Sequence, residues 1–132
     1  MCPDRCAPFR PIRGGANGDL TCQVEELGGA VVVRAAGEVD LSTAGTFRSA
    51  LSLAVERDRH IVVDLAKVTY IDSTGFKELL VCHATCERRG RILALANPHR
   101  VTQKVLGILN LDQVLPIFSS VEEAVRGLPS AP

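Results

Sequence analysis

Two short runs of this chain, Ile61-Val62-Val63-Asp64-Leu65 and Ile92-Leu93-Ala94-Leu95, are apolar almost without a break. Such runs suit strands buried on both faces. Both are flanked by stretches in which apolar residues recur three and four positions apart. Ala44, Phe47, Leu51, Ala54 and Val55 precede the first run. Phe76, Leu79, Leu80 and His83 stand between the two, in a helix expected over 74–89. Val101, Val105, Ile108 and Leu109 follow the second, and their spacing predicts the buried face of a third helix. Helices alternating with doubly buried strands imply a mostly parallel sheet, because parallel neighbours need a crossover connection and a helix is the usual one.

The ends of these elements carry matching punctuation. Ser42 or Thr43 can cap the first helix. Gly90 can close the second. Asn97-Pro98 can open the third, with Pro in a first turn that needs no N–H. Ser119-Ser120-Val121-Glu122-Glu123 is a capping pattern ahead of Val121, Ala124, Val125 and Leu128. Val114-Leu115-Pro116-Ile117 is short, and its Pro suits an edge strand. Upstream, 21–27 and 30–36 read as strands joined by Gly28-Gly29, a pair able to take the positive φ values of a type I′ turn. The order is β-β-α-β-α-β-α-β-α. It describes an α/β domain with about four helices, its mostly parallel sheet made mixed by the opening hairpin.

Residues 1–19 hold Pro3, Pro8, Pro11 and Gly14-Gly15-Ala16-Asn17-Gly18, without a periodic apolar face. They read as a flexible N-terminal tail, with the domain over 20–128 and a C-terminal tail over 129–132. A chain of 132 residues is one domain's worth. Lys and Arg total 15, as do Asp and Glu, so there is no large pull toward nucleic acid or an anionic membrane. Aromatic residues are 4% with no Trp, which argues against reading bases or sugars by stacking. The five cysteines, at 2, 6, 22, 82 and 86, cannot all pair within one chain, and they are too few for a secreted disulfide scaffold. The N-terminus lacks the apolar segment of a signal peptide, and no apolar run is long enough for a membrane span. The expectation is a reduced, cytoplasmic protein.

Chemistry concentrates between Val62 and Phe76. The buried strand ends near Leu65, a short loop follows, and an acidic-hydroxyl-hydroxyl-Gly cluster, Asp72-Ser73-Thr74-Gly75, opens a helix. In open α/β sheets, ligands and reactive groups sit outside the carboxyl ends of strands. One helix needs one cap, and three capping-type residues in a row exceed that. Enzyme motifs fail here for definite reasons. A nucleophile elbow needs Gly on both sides of the Ser, whereas Ser73 has Gly75 but Ile71. There is no Walker-type phosphate loop and no dinucleotide fingerprint after a strand. No cofactor and no catalytic residue are expected.

The residues Asp64-Leu65 and Tyr70-Ile71-Asp72-Ser73-Thr74-Gly75-Phe76 resemble the signature of the STAS domain, and most closely that of bacterial anti-sigma factor antagonists. Gly37-Glu38-Val39-Asp40 resembles that family's turn after its second strand. Val105-Leu106-Gly107-Ile108-Leu109-Asn110-Leu111 resembles its penultimate helix and following loop. The resemblance covers 20–128. It implies a protein that binds a cognate anti-sigma factor, itself a serine kinase, and so releases a sigma factor. It implies phosphorylation at Ser73, with Thr74 as second candidate, which blocks binding until a phosphatase restores it. Asp40, Asp72, Gly75 and Lys77 then belong to the partner-binding switch. Lys77 departs from the family pattern, in which many members have Gly, and sets a long cation on the first turn. A second implication of the same fold is a STAS scaffold or accessory subunit of a stress-sensing or transporter complex.

Other candidates are weaker. Cys82 and Cys86 lie one turn apart with His83 between them, but zinc needs four ligands and the other cysteines are distant in sequence. Buried or half-buried thiols are the expectation, with no metal site. His83 reads as a packed residue, and Glu87-Arg88-Arg89 as a solvated helix end.

Overall fold

The computed structural model describes residues 12–13 and 20–129. Strands β1 (Ile12–Arg13), β2 (Leu20–Leu27), β3 (Ala30–Val39), β4 (Ile61–Ile71), β5 (Leu93–Ala96) and β6 (Ile117–Phe118) form one sheet, in spatial order β1-β2-β3-β4-β5-β6. β1, β2 and β3 pair antiparallel; β3 through β6 pair parallel. Helices α1 (Ala44–Glu56), α2 (Ser73–Arg88) and α3 (Arg100–Ile108) make the three crossovers, and α4 (Val121–Gly127) ends the domain. The expected α/β class and mixed sheet are the observed ones. Gly28 and Gly29 take φ values of 60° and 86°, as the hairpin turn requires.

The two faces of the sheet are covered unequally. Val31, Val33, Ile61, Val63, Leu65, Leu93 and Leu95 point to the side of α1, α2 and α3, where Phe47, Leu51, Phe76, Leu79 and Leu106 pack on them. Val32, Val62 and Ala96 point the other way, against Val121 and Ala124 of α4. Alternating residues of β3 and β4 therefore serve different layers, which explains their unbroken apolar runs. Asp64 interrupts the β4 run and is buried, but it is satisfied. It accepts from Arg34 Nη1 (2.8 Å), Asn97 Nδ2 (3.0 Å) and the Ala66 N–H (3.0 Å).

Four local expectations need correction. First, β4 does not stop near Leu65 and give way to a loop. It pairs with β5 only from Ile61 to Asp64, but continues beside β3 through Val39↔Ile71. Ala66, Lys67, Thr69 and Tyr70 are exposed and look like loop by hydropathy, while Val68 and Ile71 anchor the ribbon in the core. Two register shifts, each adding one residue to β4, break the period-two pattern that would have marked a strand. Second, α3 starts at Arg100 rather than at Pro98. Asn97 takes a left-handed φ of 57° and its side chain is committed to Asp64, so the turn uses two more residues. Third, most of the expected apolar face of α3 points outward: Val101, Ile108 and Leu109 are exposed, and only Val105 of that face packs on the core, beside the buried Thr102 and Leu106. Fourth, Ile12–Arg13, within the stretch read as a tail, pairs with Thr21 and Cys22, supplying partners to the otherwise open edge of β2. The remaining tail residues lie outside those described.

Candidate functional site

The long β3–β4 ribbon carries its loops to one end of the molecule. Val39 and Ile71 are register partners, so the loops after β3 and β4 leave side by side. The Asp72 N–H donates to the Val39 carbonyl (3.1 Å) and joins them. Asp72 is the N-cap of α2 in extended backbone, and its Oδ1 accepts from the N–H of Thr74 (2.9 Å) and of Gly75 (3.4 Å). Of the three capping-type residues, Asp72 therefore does the capping. Ser73 is the first helical residue and is exposed; its hydroxyl has no hydrogen-bond partner among the described residues. Thr74 is half-buried and Lys77, four residues after Ser73, is exposed.

Gly75 sets the closeness of α2 to the ribbon. A Cβ there would lie 2.6 Å from Ile71 Cγ1 and 2.7 Å from Val39 Cγ1. Both neighbours are buried core residues. The Gly of the sequence cluster is thus a spacing requirement that holds Ser73 near the Asp40 loop.

That loop is rigidly bonded. Asp40 Oδ1 accepts from the Ser42 N–H (2.9 Å), the Ser42 hydroxyl (2.7 Å) and the Thr43 N–H (3.2 Å). The Ser42 hydroxyl foremost, with the two backbone donors, holds the Asp40 carboxyl below its ordinary pKa. Thr43 stands at the N-cap position of α1 but does not cap it. Its hydroxyl accepts from the Asp40 N–H (2.9 Å) and donates to the Glu38 carbonyl (2.8 Å). Sequence reading missed this pin; the Asp-x-Ser pattern could have shown only the Asx turn beside it, from Ser42 to Asp40 Oδ1. It also missed Leu41 and Tyr70, large apolar residues that stand exposed close to Asp40 and Asp72 in sequence.

The arrangement presents an exposed hydroxyl to which no described side chain hydrogen-bonds. Asp72, the neighbouring carboxylate, is turned to the N–H groups of α2, and the described hydrogen bonds link no histidine to Ser73. The three described cysteines do not act alike: the hydrogen bond from Cys82 foremost, with the charge of Arg89, lowers the Cys86 thiol. Cys22, Cys82 and Cys86 are free and buried, and burial pushes the Cys22 thiol up to about 12. The thiol of Cys82 is raised by its hydrogen bond to Cys86 and then by burial. Among the described residues no three potential ligands cluster for a metal. His83 is half-buried and faces Glu87 at 3.9 Å, rather than sitting within the apolar core.

The STAS domain family model matches residues 21–124. The chain belongs to the STAS domain family. Similar proteins include the anti-sigma-F factor antagonist RsfB of Mycobacterium tuberculosis, 30% identical over 112 residues that cover 83% of this chain and 89% of the relative. The anti-sigma factor antagonist SpoIIAA in its unphosphorylated form superposes with a TM-score of 0.66 at 26% identity, covering 83% of this STAS domain protein and 99% of SpoIIAA. The Bacillus cell fate determinant SpoIIAA in its phosphorylated form gives 0.62 at 25% identity, covering 80% and 96%. No described helix of the STAS protein is long and apolar enough to cross a membrane.

Proposed function

We propose that this STAS protein is an anti-sigma factor antagonist acting in the cytoplasm. It binds a cognate anti-sigma factor that is also a serine kinase, releases a sigma factor, and is switched off by phosphorylation at Ser73. The observation that carries this reading is the exposed Ser73 hydroxyl, unbonded at the first position of α2 and adjacent to the capping Asp72 and the pinned Asp40 loop. The names of the relatives, and the existence of SpoIIAA in two phosphorylation forms, support it. The protein contributes binding, not catalysis: the kinase supplies the phosphate and a separate phosphatase removes it.

Electrostatics gives the switch its size. A phosphoserine adds about −1.5 to −2 charges at neutral pH. The amino end of α2 tolerates an anion, but Asp72 already occupies two of its N–H groups. The new charge joins two carboxylates and forms one acidic patch with exposed Leu41 and Tyr70 at its border. Leaving such a charge without a partner in an interface costs about 2–5 kcal/mol, a loss of affinity from roughly 30-fold to several thousandfold. Thr74, half-buried, is the second acceptor candidate; Gly75 and Lys77 complete the contact surface.

Calorimetric titration of the kinase with wild type, Ser73→Ala, Ser73→Asp and enzymatically phosphorylated protein tests the reading. Alanine should bind as tightly as wild type and resist inactivation, aspartate should bind more weakly, and phosphoprotein weakest. Equal binding by all four, with no phosphate mapped to Ser73 or Thr74, would leave the scaffold or accessory role in its place.

A further inference from the structure

We propose that a cleft at the end of the sheet opposite Ser73 binds a phosphomonoester, with Arg59 and Arg126 holding its phosphate. The cleft has a volume of about 500 Å³ and lies where β3 and β4 begin. That is about 30 Å along β4 from Ser73, so the proposal does not rest on the switch. Its walls are the Gly28–Gly29 turn, Arg59 and His60 ahead of β4, and the end of α4 with Pro129 beyond it. Two contacts fix these walls. A Cβ at Gly28 would lie 2.7 Å from Val125 Cγ1, so the bare turn is seated directly on α4. The buried His60 accepts from the Ile92 N–H through Nδ1 (3.0 Å), and its ring also hydrogen-bonds the Pro129 backbone. The segment after α4 is thereby tied to the sheet, and the space between them has the size of a small-molecule site.

The charges in the cleft identify the ligand. Among the described residues no acidic side chain lines it. Arg126 is exposed and has no ion pair among the described residues. Arg59 stands 3.8 Å from Glu26, whose other oxygen is held by Arg57 at 2.7 Å. One carboxylate thus serves two guanidinium groups, and the cleft keeps a positive excess approaching two charges. Burial first, then the charge of Arg91, lowers the His60 pKa, so the ring stays neutral beside these cations. A phosphomonoester carries about −1.5 to −2 charges at neutral pH and matches this excess. A carboxylate or a phosphodiester, with a single charge, leaves part of it unmet. Guanidinium forks also fit phosphate oxygens in pairs. Val125 and Leu128 are half-buried and line the rest of the cleft, an apolar wall for the carbon skeleton that carries the phosphate.

Titration of the isotope-labelled full chain with phenyl phosphate at low salt, followed by NMR, tests this. Saturable shifts are expected at the amides of Gly28, Gly29, His60 and Arg126, with Ser73 unmoved. Inorganic phosphate should bind more weakly, and dimethyl phosphate, with one charge, at least tenfold more weakly. Arg59→Gln and Arg126→Gln should each weaken phenyl phosphate at least tenfold and leave the rest of the spectrum, and so the fold, unchanged. Arg100→Gln, at an exposed arginine elsewhere, should have no effect. Phosphatidylcholine vesicles with and without phosphatidic acid separate the two sources of the phosphate. Co-sedimentation that needs phosphatidic acid and Arg126 assigns the site to a lipid headgroup, and phenyl phosphate binding without co-sedimentation assigns it to a soluble ester; either supports the proposal. No saturation below about 10 mM overturns it. So do shifts spread over the surface arginines, an equal loss in Arg100→Gln, or equal binding of dimethyl phosphate.

Discussion

Replacing Gly75 by alanine tests whether α2 is held against the ribbon by contact distance. The added methyl would stand 2.6 and 2.9 Å from Ile71 Cγ1 and Cδ1, and 2.7 Å from Val39 Cγ1, where ordinary contact begins at 3.4 Å. Three atoms on two buried side chains must each yield by half an ångström or more, or the first turn of α2 must lift. Overpacking of this kind costs about 1–3 kcal/mol. Against it stands the helix preference for Ala over Gly, about 1 kcal/mol in a helix interior and less in a first turn. The net loss is about 1–2 kcal/mol. For a domain of this size that lowers Tm by roughly 4–8 °C. Lifting the turn also moves Ser73 away from the Asp40 loop, so kinase affinity should fall by more than the fraction unfolded explains. Thermal unfolding followed by circular dichroism, with calorimetric binding at a temperature where the variant is fully folded, measures both. A Gly75→Ala protein as stable as wild type, or more so, would refute the spacing argument.

Asp72→Ala removes the α2 cap and should cost about 1 kcal/mol in urea unfolding, while Asp72→Asn, which keeps an acceptor, should cost less. Arg48 is exposed and forks onto the buried Glu78 at 3.1 and 2.7 Å, so Arg48→Ala strands a buried carboxylate. It should therefore destabilise more than Glu78→Gln, a ranking readable from paired denaturation midpoints. His60 is buried, and its Nδ1 accepts from the Ile92 N–H (3.0 Å); burial first, then Arg91, lowers its pKa below 6.5. A depressed histidine pKa means the unfolded chain binds the proton more readily. Stability should accordingly be intact above pH 6.5 and decline as pH falls through the lowered value, and His60→Gln should lose less between pH 7.5 and 5.

Much of this architecture is legible in hydrophobic period alone. The doubly buried runs around Val62 and Leu93 force strands with cover on both sides, and every crossover helix follows. The site is legible as residue types, because Asp72, Ser73 and Gly75 each do something different at one helix start. What the sequence hides is where tertiary context overrides local pattern. The outer half of β4 is a strand only because β3 runs beside it, and its two bulges erase the alternation a reader looks for. The apolar stripe of α3 looks like core because periodicity reports amphipathicity, not which side faces in. Thr43 looks like a cap, and its role as a pin depends on the Glu38 carbonyl five residues earlier.

The strand order has a consequence for how the protein is made. Each strand from β2 to β6 lies beside the strand synthesised just before it. A chain leaving the ribosome never has to separate strands already paired in order to admit a later one, and each new βα unit docks on an existing edge. Loop closures stay local, which favours fast folding for a parallel sheet. The elements that set Ser73 in place end at Arg88, so this helix start can be assembled while the last third of the chain is still being translated.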